Sequence, residues 1–128
     1  SNQQFIYSLR RMLDPIKEHV DNNFNPLPEE YTKEFAPVRQ KINDLMRMSC
    51  EQIETSRYEN YREILAEADA CKDELSALRQ KHIDRMQHLS DNSLMQISLV
   101  YLNVLQESQE FLSVMRHQLR AAKKFMEK

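Results

Sequence analysis

The 128-residue chain contains no glycine and no tryptophan. Average usage would give roughly nine glycines in a chain of this length. Glycine supplies positive φ at tight turns and helix ends, so a chain without it must run in long, smooth elements with few sharp reversals. Without Trp, the core is built from Leu, Ile, Met, Tyr and Phe, and seven Met residues point to adaptable packing. A glycine-rich phosphate loop and a Gly-x-Ser-x-Gly nucleophile turn are both missing, and no Cys has an evident base, so nucleophilic catalysis has no support. The two cysteines, Cys50 and Cys71, lack Cys-x-x-Cys or zinc-site spacing. They read as reduced, half-buried core thiols of a reducing compartment, with a disulfide between them as the alternative. No Glu stands three residues before any His, which removes the Glu-x-x-His motif of di-iron bundles.

Long apolar runs are missing as well. No stretch approaches the about 18 apolar residues of a spanning helix, and no signal peptide is visible. Ser1-Asn2 reads as a cloning remnant, which would make the chain an excised fragment. The net charge of −2 and pI of about 6.1 leave no basic stripe, and nucleic acid is not expected as a partner, since such domains have a pI above about 9.

What is present is helical periodicity, and it fixes the class as all-α. Phe5, Ile6, Leu9, Met12 and Leu13 mark a short helix over residues 3–13. Asp14-Pro15 then restarts the chain as N-cap and first helical residue. Asn25-Pro26-Leu27-Pro28 forms a loop. Residues 1–28 therefore read as a lead-in or linker, and residues 29–128 as the helical bundle domain. Glu29 and Glu30 open the next helix at the favoured end of the dipole. Pro37 either separates a short helical turn from a longer helix or kinks a single one. Val38, Ile42, Leu45, Ser49 and Ile53 form its stripe.

That stripe does not continue in phase into Tyr61, Ile64 and Ala68. The slip predicts a break near 55–60, where Ser56-x-x-Glu59 supplies a capping box; a continuous helix is the alternative. Tyr61, Ile64, Ala68, Cys71, Leu75, Leu78, His82 and Leu89 follow 3-4 spacing suited to coiled-coil-like packing, and roughly 33 residues would span about 50 Å. Ser90-Asp91-Asn92-Ser93 is a polar turn, with Ser93-x-x-Gln96 capping the last helix. That helix carries Leu94, Ile97, Tyr101, Phe111, Leu112, Met115, Leu119, Ala122 and Met126, and ends in Arg120, Lys123 and Lys124. The last two helices should pack antiparallel. The apolar face of 94–126 is too broad for one partner, so residues 38–56, a homodimer, or both should cover it.

Candidate site residues are sparse. Asp69 and Asp73, four apart, share a helix face and suit a hard or borderline metal if a neighbouring helix adds ligands; Glu63 and Glu67 form a second such pair. The bland alternative is a solvated acidic face balanced by Arg62, Lys72 and Arg79. His82 lies on the apolar stripe as a core or interface histidine, while His19 and His117 read as surface residues. Arg10, Arg11 and Lys17 beside Phe5, Ile6 and Leu9 suit either a membrane surface or an ordinary amphipathic helix.

The run Leu78-Arg79-Gln80-Lys81-His82-Ile83-Asp84-Arg85 resembles the Leu-Arg-x-x-Ile-Asp opening of helical chorismate mutases, one residue longer, without a downstream set of cations for a dicarboxylate. A broader resemblance covers most of the chain. Arg57-Tyr58-Glu59-Asn60-Tyr61, Asp73-Glu74-Leu75-Ser76-Ala77-Leu78-Arg79 and the runs 101–110 and 116–125 resemble the PhoU-like helical domain attached to bacterial inorganic phosphate transporters of the PiT or sodium-coupled type. Glu18-His19-Val20-Asp21-Asn22-Asn23 is similar to the stretch after their last membrane span.

The resemblance implies an up-and-down three-helix bundle with a short helical lead-in after a membrane region. It implies no enzyme but a cytosolic regulatory domain at the cytoplasmic face of the bacterial inner membrane. Such a domain modulates phosphate transport through bundle packing and homodimerisation, with the transporter's own transmembrane region as partner. It also implies a divalent or ferric metal on Glu/Asp-x-x-x-Asp motifs, of which Asp69-x-x-x-Asp73 is the one strict match. A free-standing coiled-coil adaptor is the alternative function, and a small chorismate-mutase-like enzyme the third.

Overall fold

A computed structural model describes residues 2–127; Lys128 and Ser1, the first residue of the pair expected to be a cloning remnant, lie outside them. The described residues form four helices and no strand: α1 (Asn2–Phe24), α2 (Glu29–Thr55), α3 (Tyr61–Met86) and α4 (Asn92–Met126). The chain is all-helical, as its periodicity predicts, but four helices are found where a three-helix bundle with a short lead-in was expected. The expected lead-in is a single helix of 23 residues that packs along α4.

Pro15 explains the difference, and Pro37, for which a single helix was one of two expectations, behaves in the same way. Pro15 and Pro37 both sit inside helices, α1 and α2. A proline removes one N–H and leaves the carbonyl four residues back without its partner. Pro15 and Arg11 are both exposed, as are Pro37 and Lys33. The freed carbonyls thus belong to exposed residues, where solvent can reach them, and each helix continues through its proline. Asp14-Pro15, expected as a restart, falls within continuous helix.

The remaining breaks follow local chemistry. Leu27 tucks into the core within the α1–α2 connection, its N–H bonded to the Phe24 carbonyl at 3.1 Å. The break near 55–60 is present, but Ser56 closes α2 rather than opening α3. It adopts φ 54°, ψ 26°, and its N–H bonds to the Ile53 carbonyl. The left-handed position that glycine normally fills is thus held by serine. Asn60 stands at the N-cap of α3. At the other end, Asp91 rather than Ser93 caps α4, its carboxylate accepting the Ser93 N–H at 2.8 Å.

Neighbouring helices pair in chain order and close through α1 and α4; α2 and α4 also touch across the diagonal, whereas α1 and α3 do not. Gln109 bonds to the Lys72 carbonyl and Arg116 to Asp69, so α3 and α4 run antiparallel as expected. Phe5 against Phe125, centroids 5.1 Å apart, and the His19–Glu107 pair make α1 and α4 antiparallel too. The core is continuous from Leu9 and Leu13 through Phe35, Leu45, Ile64, Leu75, Leu105 and Leu112 to Leu119. No described helix is long and apolar enough to cross a membrane.

Candidate functional site: a buried polar cluster at one end of the bundle

Near the start of α2, the end of α3 and the first half of α4, polar side chains gather, some buried and some, Glu30 and Lys81, at the exposed rim. Helical spacing brings them there. Glu30, Tyr31 and Glu34 lie within about one turn of α2, Lys81, His82 and Arg85 within about one turn of α3, and Ser98 and Tyr101 on the inward face of α4. His82, Ser98 and Tyr101 are fully buried.

Glu34 is the hub. Arg85 grips its carboxylate with both terminal nitrogens, at 2.6 and 3.2 Å. The Tyr101 hydroxyl donates to it at 2.8 Å and Lys81 Nζ at 3.1 Å. Arg85 also reaches Glu30 at 3.1 Å. Burial alone would raise the Glu34 carboxyl; the hydrogen bonds from Arg85, Tyr101 and Lys81 overcome that and hold it below its usual range. Burial, reinforced by the Glu34 carboxylate, pushes the Tyr101 phenol far up, so it remains a donor.

His82 has both ring nitrogens occupied. Nε2 stands 2.8 Å from the Ser98 carbonyl, which can only accept, and Nδ1 stands 3.0 Å from Arg85, which can only donate. That arrangement specifies the neutral Nε2–H tautomer. Burial, with the Arg85 cation beside it, lowers the histidine's pKa. Tyr31 stacks flat on Tyr101 at 4.7 Å and edge-on to His82 at 4.8 Å, with the Arg85 guanidinium 4.8 Å from its ring centre. Every acid, base and hydroxyl in the cluster thus has a partner within it, apart from the buried Arg85 Nε. Such an arrangement holds three helices in register.

The run 78–85 that resembles the chorismate mutase opening supplies this cluster with Lys81, His82 and Arg85, while Arg79 faces solvent. The expected metal residues fall elsewhere. Asp69, Asp73, Glu63 and Glu67 are all exposed on α3. Asp69 turns toward α4 and meets Arg116 at 3.2 Å. Glu63 and Glu67 line a shallow groove on the α2 side with Lys41 and Asp44. The two pairs do not converge, and among the described residues no three His, Cys, Asp or Glu side chains are placed to hold a metal ion.

Of the side chains that suited a membrane surface on α1, Leu9 is fully buried and Phe5 and Ile6 pack against the core. Cys50 and Cys71 are free, and burial raises both thiols, Cys71 to about 11. The sequence places His82 and Tyr101 on apolar stripes and Arg85 in the run 78–85, without joining them, and does not single out Glu34. The available signal was Glu30 and Glu34 at i, i+4, matched by Lys81 and Arg85 at the same spacing.

Set beside models of known families, curated proteins and solved structures, the chain matches none.

Proposed function

We propose that this bundle is a non-catalytic regulatory module, the cytosolic domain of a bacterial inorganic phosphate transporter, which biases transport through contacts made by its helix surfaces. The observation that carries the reading is the closed polar cluster. The hydrogen bonds of Glu34, His82 and Tyr101 go to groups of the cluster itself, and of Arg85 only Nε has no partner. That suits a rigid body whose effect on a partner is mechanical. A rigid module can shift a transporter only by touching two of its arrangements differently. The assignment to phosphate transport rests on the resemblance of residues 57–61, 73–79, 101–110 and 116–125.

The test is fractionation of the native full-length protein with its intact mass, followed by phosphate uptake with and without residues 1–128. A membrane-bound product much larger than this chain's 15.3 kDa, with uptake altered by the deletion, is the expected result. A freely soluble product of about the same mass overturns the transporter reading and leaves the adaptor reading in its place.

A further inference from the structure

Helix α4 overhangs its neighbour α1. His19 meets Glu107 and Phe5 meets Phe125, so five further residues along α1 bring its last residue, Phe24, level with about Leu102 to Gln106 of α4. The stretch before that has no α1 beside it. In it, Leu94 is 47% exposed, Ile97 37%, Leu99 51% and Val100 36%. By helical phase Leu99 and Val100 lie on the outward side of α4, Ile97 about 60° round from Val100, and Leu94 at the open end on the side of buried Ser98, Tyr101 and Leu105.

The stretch is also uncharged. Residues 92–106 contain no Asp, Glu, Lys, Arg or His, and the next longest such run is 1–9. A surface helix ordinarily carries charge on its outer face. Here the outer face is Gln96, Leu99, Val100 and Asn103, all exposed and spaced i, i+3, i+4, i+7.

We infer that this face packs against the same face of a second copy, antiparallel, about a two-fold axis between Leu99 and Val100. Such an axis sets each residue against the one equally far on the other side. Leu99 then meets Val100, Gln96 meets Asn103 and Ser93 meets Gln106. A two-fold contact sets a surface against itself, so a face of one charge would repel its copy. This face pairs apolar with apolar at the centre and uncharged hydrogen-bonding side chains on either side. An anionic lipid surface is the poorer occupant, because it selects Lys and Arg around the apolar residues, and the run has neither. The overlap stays within the overhang: beyond residue 106 each α4 leads away from its partner, taking its own α1 with it. The patch is smaller than the roughly 800 Å² per partner of a standard interface, so the dimer is a weak, concentration-dependent one.

The inference stands on the α4 surface alone and is independent of the transporter reading. It is tested by sedimentation equilibrium of the 128-residue chain up to about 1 mM, where even weak association registers. The parent should show a reversible monomer–dimer equilibrium. Leu99→Glu should weaken it at least tenfold, with an unchanged helical spectrum. Gln96→Lys with Asn103→Lys should weaken it similarly. Gln96→Glu with Asn103→Lys should keep or tighten it, because the antiparallel register sets the introduced acid against the introduced base. A strict monomer, a dimer indifferent to Leu99→Glu, or equal behaviour of the two charge variants overturns the inference. So does binding of the parent to phosphatidylglycerol vesicles that Leu99→Glu abolishes, which would make lipid the occupant.

Discussion

Removing the Glu34 carboxylate should be among the most destabilising single changes outside the apolar core. In Glu34→Ala, Arg85 loses two of its acceptors, Tyr101 loses its only one, and Lys81 returns to solvent. Breaking a buried ion pair by removing one partner costs roughly 3–5 kcal/mol, because the other charge stays buried. The Arg85 side chain is 22% exposed and keeps Glu30 as a partner, which brings this part to about 2–3 kcal/mol. The stranded Tyr101 hydroxyl, fully buried, adds about 1–2 kcal/mol. The expected total is therefore about 3–5 kcal/mol.

Urea unfolding followed by circular dichroism gives the number, with a midpoint shift of roughly 2 M at an ordinary slope. Tyr101→Phe should cost only about 1 kcal/mol, since Glu34 keeps its other donors. The double variant Glu34→Ala, Arg85→Ala should fall short of the sum of the singles by about 1–3 kcal/mol. A loss below about 1 kcal/mol for Glu34→Ala is the range of a solvated surface pair, and it would refute the claim that these charges are held within the core.

The remaining expectations concern pH, an orphaned hydroxyl and a strained residue. His82 has a depressed folded-state pKa, so below its ordinary 6.5 the unfolded chain binds the extra proton and stability falls with pH until the folded value is passed. Glu34 and Asp21 are also depressed, Asp21 by Lys17 and Arg39 against a burial that would raise it. They add a second loss below 4.5 and 3.8, their ordinary values, so unfolding free energy against pH should fall in two steps. His82→Gln should remove the upper step and Glu34→Gln most of the lower; stability that holds level from pH 7 to 5 would contradict this. Ser49 is fully buried with no partner for its hydroxyl, unlike Ser108, which bonds the Val104 carbonyl at 2.7 Å. Ser49→Ala should therefore stabilise by about 1 kcal/mol in the same urea assay, and a loss of stability would count against it. Ser56 holds a left-handed conformation, so Ser56→Gly should be more stable than Ser56→Ala by about 1 kcal/mol; equal midpoints would show that the turn relaxes.

Periodicity carried the architecture as far as local rules reach. The phase slip between Ile53 and Tyr61 located the α2–α3 break without any glycine or proline to mark it. The 3-4 spacing located α3 and α4 and their antiparallel pairing. What failed was punctuation. Asp14-Pro15 is a sound helix-start signal, but whether a proline breaks a helix depends on which side of it faces water, and that is settled only by packing. Capping residues misled for a related reason: Ser56 and Asp91 are each one side of a turn, and spacing alone does not say which helix a turn residue closes.

The polar cluster lay deeper still. Its members come from positions 51 and 67 apart; the i, i+4 pairs Glu30/Glu34 and Lys81/Arg85 mark two charged faces, but they do not say that the faces meet or that Glu34 bonds Tyr101. Its cost has a consequence for the fold. Burying Glu34 with Arg85 is weak support for stability against an apolar substitute of the same volume. It is, however, strict about geometry, because a slip of either helix by one residue rotates its side chain about 100° off the shared axis. Apolar stripes built largely from Leu and Ile, with Met115 in the core and Met46 and Met48 packed against it, are less strict about such slips. The Glu34–Arg85–Tyr101 contacts select one register, and with it the orientation in which the uncharged overhang of α4 is presented.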